Sequence, residues 1–401
     1  MSGVRLVSAG GPLEGGHSDA AVLAETLRAA AIAVSAHVLV DDDEEALEAA
    51  LDADGVMPVV ASSGGSAGDS VRRVLARITG GRLRLDERMR RALEAHYARR
   101  DRPVPRSAER LALLPQGATI ADAPAPVWTL ERGTTTWIVF LRGGVAPALD
   151  AVLPFIRERC GTRGAVAVRT FKTVDAGAEE IEDRLADGFG AGDVSIATLP
   201  GDGEVWVRLR ARGRTPAEAL ARLTEVEATI ARRLGADCYG RDGDTLETVV
   251  GRLLRARNLT VAVAESCTGG LVGHRLTSVP ESSAYFERGV IVYSSRAKEE
   301  MLGVDGEILR AHGAVSAQCA EAMVRGACAR SGAVCGLSVT GVAGPDGGTP
   351  AKPVGTVFIG VALGNDVSAR RFRFHGDRAS VQWQSSVMAL DVLRRKLDAT
   401  R

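Results

Sequence analysis

The chain has 401 residues, which is long enough for two or three domains that each bury a core of their own. Its 50 basic side chains balance its 50 acidic ones, so no net charge draws it to nucleic acid or to an anionic membrane. No apolar run has the length of a spanning helix and the first residues lack a signal-peptide layout, which predicts a cytoplasmic protein with no membrane partner.

The first part of the chain alternates short apolar runs with amphipathic segments. Predicted strands occupy residues 4–9, 34–40, 56–61 and 137–141, and predicted helices occupy residues 20–31 and 44–51. Strands that alternate with helices form parallel sheets covered on both faces. This part is therefore predicted to be a doubly wound α/β domain.

A smaller unit follows between about residues 164 and 240. Strands are predicted at 165–171, 194–198 and 205–211, and helices at 178–187 and 216–234. The order βαββα indicates a small α+β domain, and the polar residues 240–244 are predicted to form the linker that ends it.

The last part of the chain again alternates helix and strand. We predict helices at 246–256 and 317–330, capped by Thr245 and Ser316, and a final helix that opens at residues 376–378. Strands are predicted at 261–264, 334–339, 354–363 and 367–374. Gly-rich segments follow two of these strands, at 266–270 and 340–348, and both are candidates for a ligand site.

Ser266 lies where a predicted strand meets the turn Ser-Cys-Thr-Gly-Gly. Such a turn presents a hydroxyl together with backbone N–H groups that bind an oxyanion or a phosphate. A plain helix cap is the alternative, because serine and threonine precede helices for stability alone. The competing nucleophile is Cys267, but His274 lies about two helical turns further on, out of reach, so we expect Cys267 to be a buried packing residue.

Lys298 is one of only four lysines among the 50 basic residues. In a chain that carries its solvated positive charge on arginine, a retained lysine indicates a role that arginine cannot fill. A lysine can lose its proton and act as a general base, whereas arginine cannot. A surface lysine in a helix beginning near Ser295 is the alternative. Together, Ser266 and Lys298 indicate a nucleophile–base pair.

Five short motifs follow one another in the last third of the chain, at residues 264–270, 286–298, 312–316, 341–357 and 376–378. Together they resemble the C-terminal domain of the CinA family. That domain is a nicotinamide-nucleotide amidase, which hydrolyses nicotinamide mononucleotide to nicotinate mononucleotide and ammonia.

The resemblance implies roles for individual residues. Ser266 resembles the nucleophile and Lys298 the base, and Tyr293 is counted with them as a catalytic residue that lines the amide. The implied substrate-binding residues are Thr268, Gly269, Gly270, Thr340, Gly341 and Arg378. Gln382 departs from the pattern, because relatives often carry a second basic residue there.

The whole chain resembles full-length CinA. The implied domains are a molybdopterin-binding-like domain at 1–160, a KH-like βαββα domain at 164–240 and an α/β amidase domain at 245–401. The resemblance also implies a homodimer. In the first domain the paired carboxylates that would hold a divalent cation are reduced to Asp69, and the motifs at 10–16 and 141–145 also depart from the family. We expect this domain to keep its fold without ADP-ribose pyrophosphatase activity.

The KH-like unit is not expected to bind RNA. KH domains use a GXXG loop between helices, whereas Gly188, Gly190 and Gly192 precede a predicted strand.

The sequence therefore predicts an amidohydrolase that acts on a pyridine nucleotide through Ser266 and Lys298. No CxxC, HxH or HxxxH spacing is present, so we expect no metal site, and the implied mechanism needs no cofactor. Two alternatives remain, namely a non-catalytic nucleotide-binding scaffold and a metal-dependent ADP-ribose pyrophosphatase built on the first domain.

Overall fold

The computed structural model of the protein describes most of the chain. The described residues are 3–9, 19–30, 32–40, 43–52, 57–63, 65–99, 101–141, 143–160, 165–186, 193–201 and 203–399. The motif at 10–16, Arg142 and the three glycines at 188, 190 and 192 lie outside these ranges, as do the last predicted residues of two helices, Ala31 and Asp187. In the ranges described, no helix is both long and apolar enough to cross a membrane.

Two compact units divide the chain. One contains Met1–Ala167 with Gly213–Glu218, and the other contains Val168–Arg212 with Ala219–Arg401.

The first unit is built on one sheet with helices on both faces. Its strands are β1 (Val4–Ala9), β2 (Val34–Val40), β3 (Met57–Ser63), β4 (Leu83–Leu85), β5 (Leu113–Pro115), β6 (Thr119–Ile120), β7 (Val127–Arg132) and β8 (Thr135–Leu141). Its helices are α1 (Asp19–Ala29), α2 (Glu44–Leu51), α3 (Gly65–Thr79), α4 (Glu87–Ala98) and α5 (Val145–Cys160), with a 3₁₀ helix at Arg106–Ala112.

The sheet of the first unit has the order β2-β1-β3-β8-β7-β6, while β4 and β5 form a separate pair. Strands β2, β1, β3 and β8 are parallel, and β7 and β6 continue the sheet in antiparallel pairing. Successive residues of a strand point to opposite faces, so Val59 joins the core under α1 and α5 while Val60 joins the core under α2, α3 and α4. The predicted doubly wound arrangement is confirmed, with an antiparallel edge in addition.

The middle part of the chain forms a four-stranded sheet. Its elements are β9 (Ala165–Val174), α6 (Ala178–Leu185), β10 (Val194–Pro200), β11 (Glu204–Gly213), α7 (Pro216–Leu234) and β12 (Cys238–Arg241), with a 3₁₀ turn at Gly235–Asp237. The strand order is β10-β11-β9-β12, in which β10 pairs antiparallel with β11 and β12 pairs antiparallel with β9. The predicted βαββα order is therefore confirmed and is followed by a further strand.

The linker predicted at residues 240–244 is wrong in part, because β12 pairs with β9 and extends into it. Asp242 then closes a turn against the same strand. Its N–H donates to Thr170 O at 2.8 Å, and its carboxylate accepts from Thr170 N at 2.9 Å. Polar residues and glycine suggested a free linker, whereas here they make a turn.

The C-terminal part is a second α/β layer structure. Its strands are β13 (Val261–Glu265), β14 (Phe286–Ile291), β15 (Cys335–Gly341), β16 (Thr356–Leu363) and β17 (Asp366–Arg373). Its helices are α8 (Leu246–Ala256), α9 (Leu271–Thr277), α10 (Ser295–Leu302), α11 (Gly306–His312), α12 (Ala317–Ser331) and α13 (Arg378–Asp398).

The C-terminal sheet has the order β14-β13-β15-β16-β17, in which the first three strands are parallel. Val261 and Val263 of β13 face the core formed with α8, α9 and α13, while Ala262 and Ala264 face the core formed with α10 and α12. The central strand β13 is thus buried on both faces, and its carboxyl end opens at the edge where Ser266 lies.

Candidate functional site

Ser266 begins the turn that joins β13 to α9. Its N–H donates to Val339 O of the neighbouring strand β15 at 2.9 Å, and its carbonyl accepts from Gly269 N at 3.2 Å. The turn ends at Gly270, whose φ of 104° is open to glycine but strained for other residues. The predicted strand-to-helix turn is confirmed, and it leaves Ser266 only 8% exposed.

Glu265 holds this turn from inside. Its side chain is 2% exposed, and its carboxylate accepts from the N–H groups of Gly270, Val272 and Gly273 at 3.0, 3.1 and 2.8 Å. A carboxylate at a helix N-terminus satisfies N–H groups that have no partner within the helix. These N–H groups, which the sequence predicts to face a ligand, therefore already donate to an acceptor within the protein.

Lys298 reaches Ser266 from helix α10, whose N-cap Ser294 accepts from Ala297 N at 3.1 Å. The Lys298 Nζ lies 3.1 Å from Ser266 Oγ, 2.7 Å from Val292 O and 3.2 Å from Tyr293 O. The residue is 1% exposed, so the alternative of a surface lysine is wrong.

The environment of Lys298 favours its neutral form. Burial lowers the pKa of its ammonium group, because the charged form loses hydration. In the described part of the chain no carboxylate pairs with Nζ to offset that loss. A desolvated amine beside a hydroxyl is the arrangement expected of a general base.

Cys267 packs inward, as the sequence predicts. Its side chain is buried in the core beneath α8, α9 and α13. Burial raises the pKa of its thiol to about 12, so the thiolate that a nucleophilic cysteine needs is disfavoured.

A pocket of about 450 Å³, partly open to solvent, lies over the Ser266 hydroxyl. It brings together six of the residues that the sequence nominates, and four others complete its wall. The lining residues are Ser266, Cys267, Tyr293, Lys298, Ala314, Val315, Thr340, Gly341, Ala343 and Arg378. The remaining three nominated residues, Thr268, Gly269 and Gly270, follow Cys267 in the turn and are not among the lining residues.

Two exposed side chains meet at the mouth of the pocket. Arg378 Nη2 donates to the Tyr293 hydroxyl at 3.0 Å, and Arg378 Nη1 donates to Gly344 O at 2.7 Å. Tyr293 is 64% exposed, and it is the Tyr293 main-chain carbonyl that contacts Lys298. Deeper in the pocket, Thr340 is buried and its hydroxyl donates to Ala314 O at 2.7 Å.

Glu265 and Gln382 are site residues that sequence reasoning missed. Gln382 Nε2 donates to Cys267 O at 2.8 Å from helix α13. The only signal in the sequence was the departure at Gln382 from the family's basic residue.

Asp69 of the first unit, the acidic residue singled out in the sequence analysis, is bound by arginine. Arg72 donates to one carboxylate oxygen, and Arg110 Nη1 lies 3.1 Å from the other. Among the described residues, no group of three or more potential metal ligands is found.

Three family descriptions match successive parts of the chain. They are "Probable molybdopterin binding domain" at residues 16–201, "Damage-inducible protein CinA KH domain" at 168–240 and "CinA C-terminal domain" at 243–397.

Relatives match over almost the full length of the chain. A CinA-like protein of Geotalea uraniireducens is 37% identical over 398 residues, covering 96% of this chain and 94% of the relative. A CinA-like protein of Geobacter sulfurreducens is 37% identical over 392 residues, covering 95% of each. The crystal structure of a competence-damaged protein (CinA) superfamily protein from Klebsiella pneumoniae covers 38% of this chain and 96% of its own, with 36% identity and a TM-score of 0.38. By its full-length relatives, this chain belongs to the CinA family.

Proposed function

We propose that this protein is an amidohydrolase that converts nicotinamide mononucleotide to nicotinate mononucleotide and ammonia. Ser266 is the nucleophile and Lys298 its general base. The observation that carries the proposal is the 3.1 Å contact between the buried Lys298 Nζ and Ser266 Oγ.

The three oxygens around Nζ can all accept from an ammonium group, whereas around a neutral amine they leave the lone pair facing the Ser266 hydroxyl. A neutral lysine has two N–H donors and one lone pair, whereas an ammonium group has three donors and no acceptor. The carbonyls of Val292 and Tyr293 take up two donors. The lone pair is then left for the proton of the Ser266 hydroxyl, which is the proton that a general base must remove.

The reaction proceeds in two stages. Nζ takes the Ser266 proton while Oγ attacks the carboxamide carbon, and backbone N–H groups of the turn stabilise the oxyanion. The protonated Lys298 then gives its proton to the departing ammonia, which leaves an ester on Ser266. Water, deprotonated by the same amine, hydrolyses this ester to the carboxylate product and restores the serine.

The backbone offers two open donors for the oxyanion. The N–H of Gly269 donates to Ser266 O, and the N–H of Gly270 is bound by Glu265. In the part of the chain that the structure describes, the N–H of Cys267 has no acceptor, and neither has the N–H of Thr268. The Thr268 N–H belongs to the peptide shared with Cys267, which lines the pocket.

The test is ammonia release from a panel of nicotinamide mononucleotide, nicotinamide riboside, nicotinamide and the oxidised dinucleotide. Each substrate is assayed with and without a metal chelator, and the acid product is identified by chromatography. We expect the mononucleotide to be deamidated and the chelator to have no effect. Binding of a nucleotide without ammonia release would favour the non-catalytic scaffold instead.

A further inference from the structure

Gln382 contacts the catalytic turn from the second turn of α13. It lies four residues after Arg378 and therefore on the same face of the helix. Its half-buried side chain donates from Nε2 to Cys267 O at 2.8 Å. No other donor to this carbonyl is found in the described ranges.

The other peptides of the turn are held by different partners. Ser266 is fixed by Val339 O and by Gly269 N, and the N–H of Gly270 is fixed by the Glu265 carboxylate. Among the described residues, the peptide between Cys267 and Thr268 has only the Gln382 amide to set its orientation.

In one peptide group, the direction of the C=O bond fixes the direction of the N–H bond. A trans peptide is planar, with its C=O and N–H pointing to opposite sides. Because Gln382 draws the Cys267 carbonyl toward α13, the Thr268 N–H points away from α13. This N–H is one of the two that have no acceptor among the described residues, the other being that of Cys267.

We propose that Gln382 is a positioning residue that fixes the Cys267–Thr268 peptide so that the Thr268 N–H is presented to the oxyanion. The inference rests on the proposed amidase function. An oxyanion donor acts only in the transition state, so a loosened peptide lowers kcat and leaves KM in place. Loss of one oxyanion-hole donor lowers kcat about 10²- to 10³-fold, and a donor that is disordered rather than deleted is expected to cost about ten- to a hundredfold.

Gln384 provides a matched control on the same helix. It is also a half-buried glutamine, and its Nε2 donates to His375 O at 2.7 Å and to Ser380 O at 3.2 Å. Both carbonyls lie outside the catalytic turn. Loss of its amide weakens the same end of α13 without touching Cys267.

The experiment compares kcat and KM for Gln382→Glu, Gln382→Ala, Gln382→Lys and Gln384→Glu in the full chain, with melting temperatures for each. Gln382→Glu keeps the shape of the side chain but has no N–H to donate, and Gln382→Lys restores a donor. We expect kcat to fall about ten- to a hundredfold in the Glu and Ala variants, with KM within about twofold of wild type. Gln382→Lys and Gln384→Glu should stay within about fivefold of the wild-type kcat.

Several results would overturn the inference. These are an unchanged kcat in both Gln382→Glu and Gln382→Ala, a rise in KM alone, or an equal loss in Gln384→Glu. If Gln382→Ala fails to fold, the Glu and Lys variants decide between the outcomes. A wild-type protein that releases no ammonia, or a Ser266→Ala variant that still does, refutes the proposed function and this inference with it.

Discussion

Asp69 in the first unit and Lys298 in the second are both charge-bearing residues of motifs that the sequence singles out, but their surroundings differ. Asp69 is held by two arginines, Arg72 and Arg110, which neutralise its charge. Lys298 is buried among neutral oxygen atoms, the nearest being two carbonyls and the Ser266 hydroxyl. An ion-paired carboxylate is occupied, whereas a desolvated amine without a counter-ion is poised to exchange a proton.

This difference favours the amidohydrolase over the ADP-ribose pyrophosphatase, the two enzymatic functions that the sequence left open. A divalent cation on a pyrophosphate needs several carboxylate ligands with free lone pairs. The arginines that bind Asp69 compete with a cation for the lone pairs of that carboxylate. An amide hydrolysis by the Ser–Lys route needs only a hydroxyl and a neutral amine in contact. The following predictions test the contrast.

The largest expected effect belongs to Ser266→Ala. Removal of the attacking oxygen should lower kcat for deamidation by about a thousandfold or more, because no covalent intermediate can form. Steady-state ammonia release measures the loss. Cys267→Ala is the control, since its thiol is buried with a raised pKa, and it should keep kcat within about threefold. An inactive Cys267→Ala beside an active Ser266→Ala would reverse the assignment.

Replacement of the base comes next. Lys298→Arg should be nearly as damaging as Lys298→Ala, with a loss of about a hundredfold or more, because arginine keeps the charge but cannot accept a proton. Lys396→Arg is the matched control. Lys396 lies in the last turn of α13, and its Nζ lies 2.8 Å from a carboxylate oxygen of Asp366 on β17. A Lys298→Arg variant with near wild-type kcat would show that only positive charge is needed at this position.

The pH dependence of kcat/KM should show the titration of Lys298. The base works when neutral, so activity rises with pH, by up to about tenfold per unit, and levels off above the pKa of Lys298. Because burial lowers that pKa, the midpoint should lie below the ordinary lysine value of about 10.4. Initial rates in overlapping buffers locate it. Activity that instead declines as the lysine loses its proton would mean that the ammonium form is the active one.

The smallest expected effect concerns Asp69. Asp69→Ala should leave deamidation within about twofold of wild type, since the residue lies outside the pocket that contains Ser266. The full chain should release no AMP from ADP-ribose with magnesium, manganese or cobalt, because one arginine-bound carboxylate cannot supply the ligand set. Metal-dependent AMP release that disappears in Asp69→Ala would show that the degenerate loop still works.

Local sequence signals predicted the position of Ser266 and the capped helices around it. A strand that ends in a Ser-Cys-Thr-Gly-Gly turn depends on neighbouring residues alone. The same is true of Thr245, which caps α8 and shares a reciprocal capping box with Thr248. Such features can be read from one stretch of chain.

The bias against lysine was informative but not sufficient. It points equally to all four lysines, at positions 172, 298, 352 and 396, and two of them, Lys172 and Lys298, are buried. Lys172 Nζ donates to Asp244 O at 2.7 Å and lies 4.5 Å from the centre of the Trp206 ring, which is a structural setting. Only the fold shows which of the two lysines has a hydroxyl beside it.

Contacts between distant segments were beyond sequence reasoning. Gln382 is 115 positions from the carbonyl that it binds, and nothing local to either residue predicts the contact. Edge strand β14 was likewise not predicted, because its residues are mostly exposed and lack an apolar alternation.

Glu265 gives the turn before α9 an anion of its own. In many α/β proteins this end of a helix receives the phosphate of a nucleotide. Here a buried carboxylate occupies it permanently, so a nucleotide's phosphate would meet negative charge rather than free N–H groups. Under the proposed function, discrimination between a nucleotide and its nucleoside then falls to side chains at the pocket mouth such as Arg378. Preference for the phosphate then depends on an exposed guanidinium, which one substitution can remove, and not on the backbone of the turn.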